Sequence, residues 1–196
     1  MALGHDFHSA KGFHSSLRQG TEVPDSLRDG YRIPPTWVEL RKLFDEVAIP
    51  LDRCFFTYAY MGLRASDKTT GRFAGSKDPG FLERCQALFL RQVEEQEPSL
   101  ILALGVWTPA FLAPLSPQLR IWSRKRTMRA LDDGGPVVHG VVFNGLAGLP
   151  CTVAILTHPS LRGSNVGRRV YSGQEGHLAE VALLRYALRL SMKEGV

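Results

Sequence analysis

Thr157-His158-Pro159-Ser160-Leu161-Arg162 gathers an imidazole, two hydroxyls and a guanidinium directly behind the apolar, β-branched run Thr152-Val153-Ala154-Ile155-Leu156. That run reads as a buried strand, and Pro159, which cannot donate to a sheet ladder, ends it. A histidine on a short loop at the carboxyl end of a central strand sits where open α/β sheets carry ligand chemistry. Such an imidazole can donate a hydrogen bond or move a proton; in the bland alternative it only caps a strand-ending turn. Near the other terminus, Gly4-His5-Asp6-Phe7-His8 sets a carboxylate among histidines in a turn-rich stretch. An acid beside histidines makes this stretch a second candidate for chemistry. A metal-dependent hydrolase would use His5, Asp6, His8 and His14, although no HExxH or other firm ligand spacing is present.

The elements that must position these residues follow from periodicity and punctuation. Met1-Ala2-Leu3 reads as the end of a short first strand. Ser9 to Gly20 reads as loop, and Pro24 to Pro35 as an irregular connection. Thr36 is expected as an N-cap with Glu39 completing a capping box, opening a helix through Trp37, Leu40, Leu43, Phe44 and Val47. Cys54 to Met61 is a second buried strand, and Gly62 to Gly80 a long surface loop carrying Lys68, Arg72 and Lys77. A helix opens at Pro79 and stops at Pro98; Leu100 to Gly105 is a third strand. Pro109 to Leu115 suggests a short helix, Val137 to Leu146 a short strand or loop, and a long helix starts at Gly176. Strands that are apolar throughout and alternate with helices predict one domain over residues 1–196. The expected fold is α/β: a three-layer α/β/α sandwich with a central four-stranded, mostly parallel sheet. Right-handed crossovers then bring Asp6, Tyr58, Gly105 and His158 to one sheet edge.

Composition bounds the function. At 196 residues and 44% hydrophobic content the chain has enough material for a sizeable core. No apolar run approaches the roughly 20 residues that span a bilayer, and no signal peptide is evident. Three cysteines without CxxC spacing (Cys54, Cys85, Cys151) indicate neither a disulfide framework nor a zinc site, and fit a reducing cytoplasm. The net charge of +5 permits a polyanionic partner. Five basic residues (Arg120, Arg124, Lys125, Arg126, Arg129) surround Trp122, and Arg168-Arg169 follows the His158 loop. Each cluster is either a solvated face or a phosphate track.

Taken together, four segments resemble the uracil-DNA glycosylase superfamily over nearly the whole chain. Leu3 to His8 is similar to its first motif, a glycine turn with an acid that positions the attacking water. Phe55-Phe56-Thr57-Tyr58-Ala59 is similar to the strand that ends in a base-reading asparagine, with Tyr58 standing in its place. The stretch from Cys85 to Gly105 resembles the helix–strand unit between motifs. His158-Pro159-Ser160 matches the last motif, whose histidine contacts the base and whose loop enters the duplex. Cys54 to Arg64 resembles especially a prokaryotic branch that includes glycosylases acting on modified bases of phage DNA.

The resemblance implies a monofunctional DNA glycosylase acting on a flipped pyrimidine without a cofactor or metal. A modified cytosine (hydroxymethyl or glucosyl) is favoured over plain uracil because a phenol cannot reproduce the amide's two-sided pattern. Asp6 and His158 would be catalytic; Gly4, His5, Phe7, Phe13 and Tyr58 would line the substrate site, with Phe13 or Phe7 stacking on the base. Ser160, Leu161, Arg162, Lys68, Arg72, Lys77 and Arg168 would contact DNA, Arg162 as the wedge filling the vacated stack. The partner is double- or single-stranded DNA, the protein a monomer, and no iron–sulfur cluster is expected. A non-catalytic module, with Tyr58 blocking the pocket and the basic segment binding nucleic acid, uses the same residues differently.

Overall fold

The computed structural model describes residues 1–10, 35–65 and 70–192, without the side chains of Phe7, His8 and Pro35. Its strands are β1 (Ala2–Ser9), β2 (Phe56–Arg64), β3 (Leu100–Leu104), β4 (Val137–Val141), β5 (Cys151–Leu156) and the two-residue pair β6 (Val170–Tyr171) and β7 (Gln174–Glu175). Its α-helices are α1 (Pro35–Glu46), α2 (Pro79–Gln96), α3 (Thr108–Leu112), α4 (Met128–Asp133), α5 (Arg162–Asn165) and α6 (Gly176–Met192). No helix is long and apolar enough to cross a membrane among the described residues.

Because side chains alternate along a strand, a run that is apolar throughout can bury both of its faces. In β3 and β5, Ile101, Ala103, Val153 and Ile155 join one core, while Leu102, Leu104, Ala154 and Leu156 join another. The first core is completed by Phe89 and Val93 of α2, Phe111 and Leu112 of α3, and by Leu119 and Trp122. The second is completed by Leu40, Leu43 and Phe44 of α1 and by Val181, Leu184 and Ala187 of α6. Each fully buried Leu or Phe contributes about 1.5–3 kcal/mol, so Phe44→Ala or Phe89→Ala would cost about 3–5 kcal/mol.

The sheet runs β2-β1-β3-β5-β4, with the first four strands parallel and β4 antiparallel to β5. The expected four-stranded sheet is therefore corrected to a five-stranded mixed one. The added strand is short and half-buried, interrupted by His139 and Gly140, which hides its periodicity. The connection back to β5 turns through Gly145 and Gly148, both at positive φ. β1 is also longer than the expected stub: its pairing with β2 runs from Ala2↔Phe56 to Ser9↔Arg64, so Gly4 lies within a strand and not in a turn. β2 in turn continues past Met61 into the segment expected to be loop.

Helix starts carry their chemistry locally. Asp78 accepts the Phe81 N–H at 3.0 Å ahead of Pro79, and Thr127 accepts from Ala130 N–H at 3.1 Å. α1 begins at Pro35, which puts Thr36 inside the first turn rather than at the cap, and Glu39 pairs with Lys42 at 2.8 Å instead.

Two features aim the sheet at one edge. The chain leaves β1 towards β2 on one side and later returns to β3 on the other, so the order reverses between β1 and β3. Such a switch point opens a crevice at the carboxyl ends of the flanking strands. Asp6 pairs with Tyr60 but His8 with Leu63, so β2 carries one extra residue there. Bulges of this kind redirect side chains beside functional sites.

Candidate active site

The crevice at the switch point is a cavity of about 690 Å³. β1 contributes His5 and Asp6, β2 contributes Arg64, and the turn after β3 contributes Gly105, Val106 and Trp107. Thr157, His158, Ser160 and Leu161 follow β5, while Arg126, Arg129, Asn165 and Arg168 add polar groups. The fold thus brings together residues from both ends of the chain, and Asp6 and His158 share one cavity.

Asp6 is held from two sides. Arg64 donates from Nε to Oδ1 at 3.0 Å and from Nη2 to Oδ2 at 2.7 Å, a bidentate clamp. His5 Nδ1 lies 2.7 Å from Oδ2 and is the donor there, which puts the proton of a neutral ring on Nδ1. Burial alone would raise the Asp6 carboxyl, but hydrogen bonds and charge from His5 and Arg64 outweigh it and hold it below the usual carboxylate range. Asp6 is therefore ionised at neutral pH. Oδ2 takes both Arg64 and His5, whereas Oδ1 takes Arg64 alone among these contacts and keeps a lone pair with which the carboxylate can still orient a water. Arg64 also binds the backbone ahead of α2, donating to the Thr70 and Gly71 carbonyls at 3.0 and 2.7 Å. Its guanidinium sits 3.4 Å from His5 Nδ1 as well, a cation where a metal bound by His5 and Asp6 would have to lie. His8's side chain and His14 lie outside the described residues.

His158 is set against β3. Gly105, at φ +84°, ends that strand, and a Cβ built there would stand 3.2 Å from His158 Cβ. Only glycine combines that left-handed backbone with so close an approach. Ser160 Oγ lies 2.8 Å from His158 Nδ1. With the serine hydroxyl donating, Nε2 keeps the ring proton and is the donor available to a ligand. Burial, reinforced by His5 and opposed by Asp6, lowers the His158 imidazole below its ordinary value, so it is neutral at pH 7.

Trp107 went unnoticed in the sequence. It follows Gly105 by two positions, lines the cavity and stacks on His5 at 6.5 Å and 29°. Its position just past a strand end was the available signal. Arg64 was missed too, because its role depends on β2 continuing beyond its apolar run.

Several expected site residues are placed differently. Gly4 is buried inside β1, where a Cβ would stand 2.9 Å from the Tyr58 ring. Gly4 makes room for Tyr58, and neither residue lines the cavity. Burial, and then the charge of Asp6, raise the Tyr58 phenol, which stays neutral. Arg162 is only 6% exposed and forms a buried ion pair with Glu180, so it is no surface wedge. Leu161, one residue earlier, is 38% exposed and lines the cavity. Ser160 and Arg168 are exposed at the cavity, whereas Arg72 and Lys77 are exposed outside its lining. Phe13 and Lys68 lie outside the described residues, as does the side chain of Phe7.

No protein-family model matches this sequence, and no curated protein matches it.

Proposed function

We propose that this protein is a monofunctional DNA glycosylase that hydrolyses the N-glycosidic bond of a flipped pyrimidine and leaves an abasic site. The observation that carries the reading is the pairing, in one cavity, of an ionised carboxylate (Asp6) with a neutral imidazole (His158). Breaking a glycosidic C–N bond builds positive charge on the sugar and negative charge on the departing base. Asp6 answers the first and orients the water whose oxygen bonds to the sugar carbon; that water's spare proton passes to solvent, and the C–N electron pair leaves with the base. His158 Nε2–H donates to the base oxygen that gains charge. Because Arg64 already neutralises much of Asp6, the carboxylate acts by orientation and field more than as a strong base.

The surroundings suit a flipped base on DNA. Trp107 offers an indole for stacking, Leu161 an apolar side chain at the mouth, and Arg126, Arg129 and Arg168 cations for phosphates. We favour a hydroxymethyl- or glucosyl-cytosine over uracil. Tyr58 does not support that preference, since it lies off the cavity; the support is the space itself and its lining by Thr70 and Gly71, a hydroxyl and a carbonyl beside which a substituent could sit. The same reading takes the two cores as the outer contacts of a three-layer α/β/α sandwich, and the chain as a cytoplasmic monomer with free thiols.

One observation favours a non-catalytic DNA-binding module: the bidentate Arg64 clamp leaves Asp6 little free basicity. His158→Ala separates the two. A glycosylase loses abasic-site formation by about 100-fold or more while binding and melting temperature hold; a module binds DNA identically and forms no abasic sites in either protein.

A further inference from the structure

Glu180, on α6, lies outside the cavity and is fully buried. Its carboxylate collects donors from the chain on both sides of His158. Oε1 accepts the Thr157 backbone N–H at 2.5 Å, and Oε2 accepts from Arg162 Nη1. Thr157 immediately precedes His158 and Arg162 immediately follows Leu161, so one carboxylate brackets the whole loop. Arg169 extends the grip. Its Nη1 lies 3.5 Å from Glu180 Oε1, and both terminal nitrogens donate to the Ile155 carbonyl of β5 at 3.1 and 3.0 Å. Arg169 also pairs with Asp132 of α4 at 3.0 Å.

Buried ion pairs are seldom the most stabilising filling for a core, because desolvation offsets most of their attraction. Their strength is directional, since a fully engaged carboxylate tolerates little displacement of its donors. Here the donors are the backbone at one end of the His158 loop and a side chain at the other. We infer that Glu180 is the positioning residue of this loop, fixing His158 inside the cavity and Leu161 at its mouth. What the loop does rests on the glycosylase reading; how it is held does not.

Three measurements on the full chain test the assignment. In the wild-type protein, amide hydrogen exchange at Thr157 should be as slow as in β5, whereas exchange as fast as at Gly163 would overturn it. Next, His158 is titrated by imidazole NMR in Glu180→Gln and in the charge-balanced double variant Glu180→Gln/Arg162→Gln, which covers the case where the single variant fails to fold. Loosening the loop should hydrate the ring and move its midpoint up towards the ordinary value of about 6.5. A folded variant with the wild-type midpoint would overturn the assignment. Finally, single-turnover abasic-site formation should fall about tenfold in Glu180→Gln with KM little changed. Added to His158→Ala, the same substitution should cost nothing more, since both act through one imidazole. Losses that multiply would contradict this. If the wild type makes no abasic sites, the glycosylase reading fails while exchange and titration still decide the role of Glu180.

Discussion

Gly105 and His158, from the ends of neighbouring parallel strands, approach so closely that a methyl group on the glycine would stand 3.2 Å from His158 Cβ. Gly105→Ala adds that methyl at φ +84° and displaces the imidazole. We expect a loss of about 1 kcal/mol or more in stability and roughly a tenfold drop in abasic-site formation. Denaturant melts and single-turnover rates check both, and wild-type values in each would contradict the packing argument.

Arg64 and Asp6 are almost fully buried as a pair, so removing one partner strands the other. Arg64→Met should cost about 3–5 kcal/mol. The pH dependence follows from the direction of the Asp6 shift. A carboxyl held below its unfolded value contributes stability above about pH 3.9, and this is lost as pH falls through the folded value. Without Arg64, burial is opposed by His5 alone, so acid destabilisation should begin at a higher pH than in the wild type. Melts between pH 7 and pH 3 measure this; superimposable acid limbs would refute it.

The same pair alters how Asp6 variants are to be used. Asp6→Ala leaves a guanidinium buried with only carbonyls to bind, so it should lower stability as well as activity. His158→Ala, whose ring makes no buried ion pair, is the cleaner catalytic control.

His158 carries the opposite charge type and the same sign of linkage. Its folded value lies below the ordinary imidazole value, so the unfolded chain binds the proton more readily. Stability from the neutral ring is present above about pH 6.5 and is lost as pH falls from there through the folded value. Abasic-site formation should stay level from pH 8 through 6.5 and decline only below it. An NMR midpoint at or above the ordinary value would contradict the buried, neutral imidazole.

Adjacent residues in the His158 loop should behave differently. Leu161→Ala removes an exposed side chain at the cavity mouth; activity on duplex DNA should fall about tenfold with little change on single strands, because only the duplex leaves a gap to fill. Arg162→Ala breaks the buried pair with Glu180 and should instead destabilise the fold by about 3–5 kcal/mol. Parallel melting curves and activity on both DNA forms separate the two. A stable Arg162→Ala with a duplex-specific defect would restore Arg162 as the wedge.

This contrast marks where the sequence is legible. The four parallel strands and the helices over Pro79–Gln96 and Gly176–Met192 follow from apolar runs, helical periodicity and Pro or Gly punctuation. Their order was enough to bring Asp6, Gly105 and His158 to one edge. β4 stayed ambiguous between strand and loop because His139 and Gly140 interrupt its pattern. Arg64 escaped because its contact with Asp6 spans 58 residues and needs both the extra length of β2 and the extra residue in its pairing. Tyr58 was assigned by motif position, but its ring turns to the space left by Gly4, which only the β1–β2 register reveals. Arg162 looked like an exposed loop arginine because its partner lies 18 residues later on another element.

The most direct measurement of the central claim is abasic-site formation on a panel of DNAs. The panel comprises uracil-containing, hypoxanthine-containing, unmodified phage, and hydroxymethyl- or glucosyl-cytosine phage DNA, with alkali or an abasic endonuclease revealing the sites. The account predicts breaks in modified-cytosine DNA that disappear with His158→Ala. Breaks at uracil alone would keep the chemistry and overturn the base preference. Intact DNA across the panel, with binding preserved, would contradict the glycosylase account.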